Sequence, residues 1–380
     1  MKPLCVYIHI PFCLSKCAYC DFLSFSGSKN HAGYIETLCR EIANSAAKLA
    51  GYSVRTIYFG GGTPTVLETK GLVKIKKTIE ENYRVESGAE ITIEANPETC
   101  GVGMTALGRP LVELRNAGFN RISIGVQSWC DVMLRRLGRV HSAENAEAAF
   151  WAARNAGFDN ISLDLMFSLP SQSLDDWKFA LNKTINLAPE HISCYGLTVE
   201  DGTPLAKESD LQLPSDELDR KMYYMARKAF RKAGYSHYEI SNFAKPGKHS
   251  RHNTNYWTGG DYIGFGLGAH SLVNSQRFSN IENFDEYIAC HFSNDYVAFN
   301  HHNLTRCERM EEFMFLGLRL MGGISESQFM QTFNESITNV YGKQIENFVK
   351  QGLLRCENGR VALTETCIDV CNKIFTEFLQ

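Results

Sequence analysis

At 380 residues the chain is longer than one hydrophobic core usually organises, so a large domain and a smaller one are expected. Its 44% hydrophobic and 21% charged residues exclude a disordered or fibrous chain. A formal net charge of −3 argues against nucleic acid as the main partner, a local basic patch aside.

The 13 cysteines are odd in number and scattered, which fits a reducing cytoplasm better than a disulfide framework. No apolar run approaches the about 18 residues of a membrane span. Leu4 to Ile10, interrupted by His9, is too short for a signal segment. Peripheral association is the one membrane role left open.

Leu4 to Ile10 instead reads as a strand, stopped by Pro11, which has no amide proton for a ladder. Cys13, Cys17 and Cys20 then fall in a loop at that strand's C-terminal end. Helical spacing over His31 to Leu49 leads to a strand from Val54 to Phe59 that runs into Gly60-Gly61-Gly62. The unit recurs as helix Leu72 to Tyr83 and strand Glu90 to Ala95, then helix Met104 to Ala117 and strand Arg121 to Val126. Helix Ala143 to Ala156 and strand Ile161 to Phe167 follow, then helix Leu174 to Leu187 and strand His191 to Leu197. Six such units predict a parallel sheet, either doubly wound or closed as a barrel. Polar or glycine-rich positions at consecutive strand ends favour the barrel, in which those ends share one face: the cysteine loop, Gly60 to Thr63, Glu94, Gln127, Asp164 and Tyr195.

An amphipathic helix is expected from Asp216 to Ala233, followed by a less regular stretch, Ser236 to Ser275, dense in Gly, His and Asn. From Arg306 the pattern gives helices Glu308 to Met321, Ser325 to Phe333 and Ile345 to Leu353. A hairpin around Glu357-Asn358-Gly359-Arg360 and a last helix, Glu365 to Phe378, complete a winged-helix-like module. The expected division is 1–235, 236–304 and 305–380.

The C-x3-C-x2-C spacing of Cys13, Cys17 and Cys20 suits an iron–sulfur cluster one thiolate short of the usual four, because Asp21 and Phe22 stand where a fourth cysteine would be sought. One iron would then be open to a small molecule. Zinc and three reduced thiols in an ordinary loop are the rival readings, though no second cysteine pair is spaced for a structural zinc site. Gly60-Gly61-Gly62 removes three β-carbons where a ligand could approach backbone, or simply makes a tight turn. Asp164 interrupts an apolar strand and needs a partner or a function, and Arg139 could be that partner or could hold a ligand carboxylate in bidentate fashion.

The string Tyr7 to Phe22, with Gly60-Gly61-Gly62-Thr63-Pro64-Thr65, resembles the radical S-adenosylmethionine superfamily. Within it, the resemblance is to the branch of oxygen-independent coproporphyrinogen III oxidases and related heme chaperones. It implies a partial (β/α)6 TIM-like barrel with a smaller, mainly helical C-terminal domain. It also implies a [4Fe–4S] cluster on Cys13, Cys17 and Cys20, and S-adenosylmethionine bound at its open iron. Cofactor-binding roles carry over to Tyr7, Tyr19, Gly61, Gly62, Thr63, Glu94, Gln127, Arg139 and Asp164.

Two departures separate the members of that branch. The oxidases read C-x3-C-x2-C-x-C, where this chain has Phe22, and they carry a longer segment ahead of the cluster than the twelve residues before Cys13. Residues 252–257, His-Asn-Thr-Asn-Tyr-Trp, reproduce an H-N-x-x-Y-W signature of the chaperones. The resemblance therefore implies a cytoplasmic heme chaperone that takes heme on His252, passes it to acceptor proteins and draws on an electron donor, with a heme-bound homodimer left open. Oxidative decarboxylation of coproporphyrinogen III is the alternative. For the signature itself, the rival reading is a loop anchored by its aromatics, with His252 a hydrogen-bonded spacer.

Overall fold

The computed structural model describes residues 1–27, 29–101, 109–290 and 298–379. Its frame is six parallel strands paired in chain order: β1 (Lys2–Ile10), β2 (Tyr52–Gly61), β3 (Val85–Ala95), β4 (Arg121–Gln127), β5 (Ile161–Phe167) and β6 (His191–Gly196). Helices α1 (His31–Ser45), α2 (Thr69–Asn82), α3 (Arg109–Asn116), α4 (Ala143–Asn155) and α5 (Leu174–Leu187) connect them, and α6 (Asp216–Lys232) follows. This is the parallel sheet expected from the alternation, in the partial-barrel form that the strand-end residues favour and the family resemblance implies. The expected helix start at Met104 lies outside the described residues.

The stretch read as irregular extends the sheet at both edges. Strands β7 (Ser236–Glu239) and β8 (Asn242–Ala244) add antiparallel beyond β6. On the other side β9 (Tyr262–Phe265) lies parallel to β1, and β10 (His270–Val273), β11 (Gln276–Asn280) and β12 (Ala298–Asn303) follow antiparallel. These strands are three to six residues long, too short for periodicity to announce.

Strand alternation fixes the two faces. Leu4, Val6, Ile8 and Ile10 of β1 are fully buried against the helices, as are Ile57 and Phe59 of β2 and Ile122, Ile124 and Val126 of β4. The opposite face is polar: Thr56, Glu90, Thr92, Glu94, Arg121, Ser123, Asp164 and His191. Parallel strands are usually apolar on both faces, and barrel interiors are normally filled by branched aliphatics. A polar lumen is stable only where its groups satisfy one another. They largely do, since Tyr58 donates to Glu94 at 2.6 Å, Ser123 to Asp164 at 3.0 Å, and Ser162 pairs with His191 at 2.8 Å. Arg121 Nε and Thr92 Oγ1, adjacent in register, are buried without a partner among the described residues.

The lower end of the barrel is crossed by α7 (Arg251–Trp257). Ser250 caps it, accepting from Asn253 N at 3.3 Å, and the Glu90 carboxylate accepts from the amides of Arg251 and His252, both at 3.1 Å. A side-chain oxygen at the cap and a carboxylate at the first turn explain why this polar stretch is helical.

A second apolar cluster gathers α9 (Arg306–Gly317), α10 (Glu326–Phe333), α11 (Ile337–Lys350) and α12 (Cys371–Thr376), with the short helix α8 (Phe284–Ala289) preceding them on the barrel. Its small sheet, β13 (Ile324–Ser325), β14 (Leu354–Glu357) and β15 (Arg360–Leu363), includes the expected hairpin, with Asn358 and Gly359 both at positive φ as a tight two-residue turn requires. The expected helix Ile345 to Leu353 is the second half of the longer α11. The last helix is shorter than expected, because a 3-10 turn at Ile368–Val370 precedes α12. This unit packs on the β7 edge through main-chain bonds from Ile240 N to Arg319 O at 3.2 Å and Met321 N to Tyr238 O at 3.0 Å.

Glu41 of α1 ties the β9–β11 extension to the barrel. Its buried carboxylate accepts from Tyr287 Oη at 2.6 Å, Asn280 Nδ2 at 2.6 Å and Gly266 N at 3.0 Å. Burial raises its pKa to about 7 against these hydrogen bonds, which lower it. A folded-state value above the unfolded one confers stability that is full at acid pH and is lost as pH rises through about 7. Thermal unfolding is therefore expected to show wild type losing up to about 3 kcal/mol relative to Glu41→Gln over that rise. Parallel pH profiles of the two proteins would remove Glu41 as the titrating group.

Candidate cofactor site

After Pro11, residues Phe12–Cys13 pair with Phe25–Ser26, so the cysteine loop leaves the barrel and returns to it within a few residues. Its middle is pinned from outside: Ala18 N donates to Leu137 O at 2.9 Å, and Leu205 N donates to Ala18 O at 2.8 Å. Below, the glycine turn of β2 supports it through Gly62 N to Ile10 O at 2.9 Å and Thr63 N to Phe12 O at 2.7 Å. The glycines are needed for this approach. Gly61 has φ +110, and a Cβ on it would lie 2.5 Å from the His9 ring; one on Gly62 would lie 2.7 Å from Phe12 O and 3.0 Å from Cys13 Sγ.

A cavity of about 340 Å³ opens above the strand ends. Its lining brings together Cys13, Cys17, Cys20, Tyr19, Gly61, Gly62, Thr63, Glu94, Gln127, Arg139 and Asp164 from loops and strands far apart in sequence. Tyr7 lies one layer down in the lumen, its hydroxyl 3.0 Å from His9 Nδ1. Asn96, Ser123 and Met166 also line the cavity and were not anticipated. The inward alternation that picks out Glu94 and Asp164 would have found them.

The two acids differ in setting. Burial raises the pKa of Glu94 to about 7; the Tyr58 hydrogen bond lowers it, Asp164 raises it, and Gly61 N and Arg121 lower it. Asp164 is also raised by burial, against the hydroxyls of Ser193, Ser123 and Ser162 and the charge of Arg121. Arg139 does not pair with Asp164. Its Nη2 donates to Asn96 Oδ1 and Gly125 O, both at 2.7 Å, its Nη1 lies 3.5 Å from Cys17 Sγ, and its buried Nε has no partner among the described residues. Gln127 sits at φ +62 beside a register shift between Gly125 and Gln127, a strained turn that lifts its side chain onto the rim.

His252 is not brought to this cavity. It is 1% exposed in the barrel floor, with Nδ1 2.7 Å from Thr56 Oγ1 and Nε2 2.9 Å from Tyr256 Oη. Burial, helped by the charge of Arg121, lowers its pKa to about 3. Both ring nitrogens are engaged, so the expectation of a free axial ligand gives way to that of a hydrogen-bonded floor residue.

The donor set fits a cluster with one open corner. Three thiols line one end of a cavity of ligand size, no cysteine stands at position 22, and Thr63 and Arg139 both reach cysteine sulfurs, Thr63 Oγ1 to Cys13 Sγ at 3.6 Å. Among the described residues no three side chains converge on one point as a single metal ion requires. The ligands of a cubane bind separate irons and so stand apart.

Barrel, glycine turn and cysteine loop together define a radical S-adenosylmethionine protein. The Radical SAM superfamily matches residues 7–183, and the HemN C-terminal domain matches residues 304–369. The heme chaperone HemW of Bacillus subtilis is 36% identical, over 98% of this chain and 98% of its own. HemW of Escherichia coli is 40% identical over 72% of this chain and 71% of its own. The chain belongs to the HemW family. In fold it is similar to the coproporphyrinogen III oxidase of E. coli, with a TM-score of 0.86 at 24% identity, over all of this chain and 90% of that one.

The cofactors of this superfamily are a [4Fe–4S] cluster and S-adenosylmethionine, the cluster supplying one-electron reducing power to the bound sulfonium. Because Gly62 bears on both Phe12 and Cys13, Gly62→Ala is expected to force a loop shift costing about 1–3 kcal/mol. Anaerobic reconstitution should then yield less iron and sulfide per chain than wild type, with unchanged far-UV circular dichroism. Full cluster content in Gly62→Ala would show that the close approach is dispensable.

Proposed function

We propose that the chain is a heme chaperone of the HemW type, which binds heme and transfers it to acceptor proteins while holding a [4Fe–4S] cluster and S-adenosylmethionine. The observation that carries this reading is the near-full-length identity to chaperones of that name, joined to a cysteine loop in which Phe22 replaces the cysteine expected of the oxidases. Phe22 is 64% exposed at the cavity mouth, where an apolar ring suits a porphyrin face better than solvent.

In this reading Cys13, Cys17 and Cys20 hold the cluster. Gly61, Gly62 and Thr63 border the amino end of S-adenosylmethionine, and Glu94, Gln127, Arg139 and Asp164 offer it hydrogen bonds and charge. Tyr19 lines the wall, and Tyr7 supports the floor beneath. The chain works in three parts, 1–235, 236–304 and 305–380. It resides in the cytoplasm and receives electrons from a separate donor. No helix among the described residues is long and apolar enough to cross a membrane.

Anaerobically reconstituted protein is expected to take up heme at micromolar concentration and to pass it to an apo heme protein, with both steps followed by the Soret band. Failure to take up heme with the cluster intact would end the chaperone reading, and turnover of coproporphyrinogen III with S-adenosylmethionine and a reductant would replace it. His252→Ala is expected to leave the Soret maximum and heme affinity within about twofold of wild type, since both ring nitrogens already serve the barrel floor. A shifted Soret band in that variant would restore His252 as a heme ligand.

A further inference from the structure

The H-N-x-x-Y-W signature lies on α7, at the end of the barrel opposite the cysteine loop, yet it reaches the cofactor cavity through one intermediary. The His252 ring, fixed at both nitrogens, stacks on Tyr58 with centroids 4.9 Å apart and planes inclined by 28°. Tyr7 stacks on Tyr58 as well, at 6.3 Å and 27°. The Tyr58 ring is thus held by two neighbours, and its hydroxyl is left one strong acceptor, Glu94 Oε1 at 2.6 Å. Among the described residues the other carboxylate oxygen, Oε2, accepts only a longer bond, 3.3 Å from Gly61 N. Glu94 lines the cavity, whereas Tyr58 and His252 do not.

An unsupported carboxylate on a strand end rotates freely about its last bonds, and a binding group that must first be ordered binds more weakly. One short hydrogen bond from a ring that cannot turn removes that freedom. We propose that Tyr58 and His252 are positioning residues for Glu94: the floor helix fixes the Tyr58 ring, and the Tyr58 hydroxyl aims the carboxylate at the hydrogen-bond donors of bound S-adenosylmethionine. This rests on the reading of Glu94 as a cofactor-binding group. It gives the signature histidine a task in binding S-adenosylmethionine that requires no contact with heme.

The groups facing Glu94 are Tyr58 from β2, Arg121 from β4, Asp164 from β5, Tyr7 from β1 and Tyr256 from α7. Burial is the largest influence raising its pKa, and the Tyr58 hydrogen bond is the largest opposing it. Losing that bond removes a donor to the ionised form and so moves titration to higher pH.

The test is anaerobic calorimetric titration of the cluster-loaded full chain with S-adenosylmethionine, from about pH 6 to about pH 8.5, across the range in which a carboxylate so raised titrates. Wild-type affinity is expected to rise with pH as Glu94 loses its proton. Tyr58→Phe, which removes one oxygen, is expected to weaken binding about tenfold at neutral pH and to shift the inflection upward, with cluster content unchanged. His252→Gln, which frees the Tyr58 ring, is expected to weaken binding by a smaller factor. Should His252→Gln not fold, Tyr58→Phe alone decides. Wild-type affinity and inflection in Tyr58→Phe, beside a weakened Glu94→Gln, would overturn the positioning role. An unweakened Glu94→Gln would overturn the cofactor-binding reading of Glu94 beneath it.

Discussion

The cost of burying charge and polarity inside a parallel barrel governs this molecule. Strand alternation puts Glu94, Asp164 and His191 on the inner face, where a charged or polar group without a partner is destabilising by several kcal/mol. The partners come from neighbouring strands: Tyr58 for Glu94, Ser123 for Asp164, Ser162 for His191. A strand slipped by one residue would turn this face outward and leave every such group unpaired. The same hydrogen bonds that make the lumen tolerable therefore also fix the register, and the register holds the rim residues around the cavity.

Much of this was legible in the chain. The six strand–helix units appear in the structure because each strand carries one unbroken apolar row, such as Leu4, Val6, Ile8 and Ile10, and each row shows in the sequence. The cysteine loop, the glycine turn and the strand-end acids could be read for the same reason: they break a regular pattern at a predictable place. The rest is decided by tertiary partners. Segment 251–257 looks like a loop until Glu90, some 160 residues earlier, offers its carboxylate to the first-turn amides. Arg139 looked like a mate for Asp164 until the bulge near Gln127 and the side chain of Asn96 supplied nearer acceptors.

The signature histidine shows why residue type alone misleads. An imidazole beside tyrosine and tryptophan invites a heme-ligand reading, and the chemistry of each residue allows it. Burial and the two hydrogen bonds remove that freedom, while Trp257, with the Arg319 guanidinium 4.4 Å from its ring centroid, joins the same helix to the C-terminal unit. One short element thus touches the barrel lumen on one side and the smaller apolar cluster on the other.

The way that smaller unit meets the barrel has a further consequence. Strand β7 is the last of the large sheet on its side, and main-chain bonds from Ile240 and to Tyr238, with a bridge between Glu239 and Leu320, cover it. A sheet border so capped cannot recruit a strand from another molecule. Cutting the chain ahead of α9 would bare that border, and the shortened product would tend to self-associate into aggregates rather than persist as a minimal barrel.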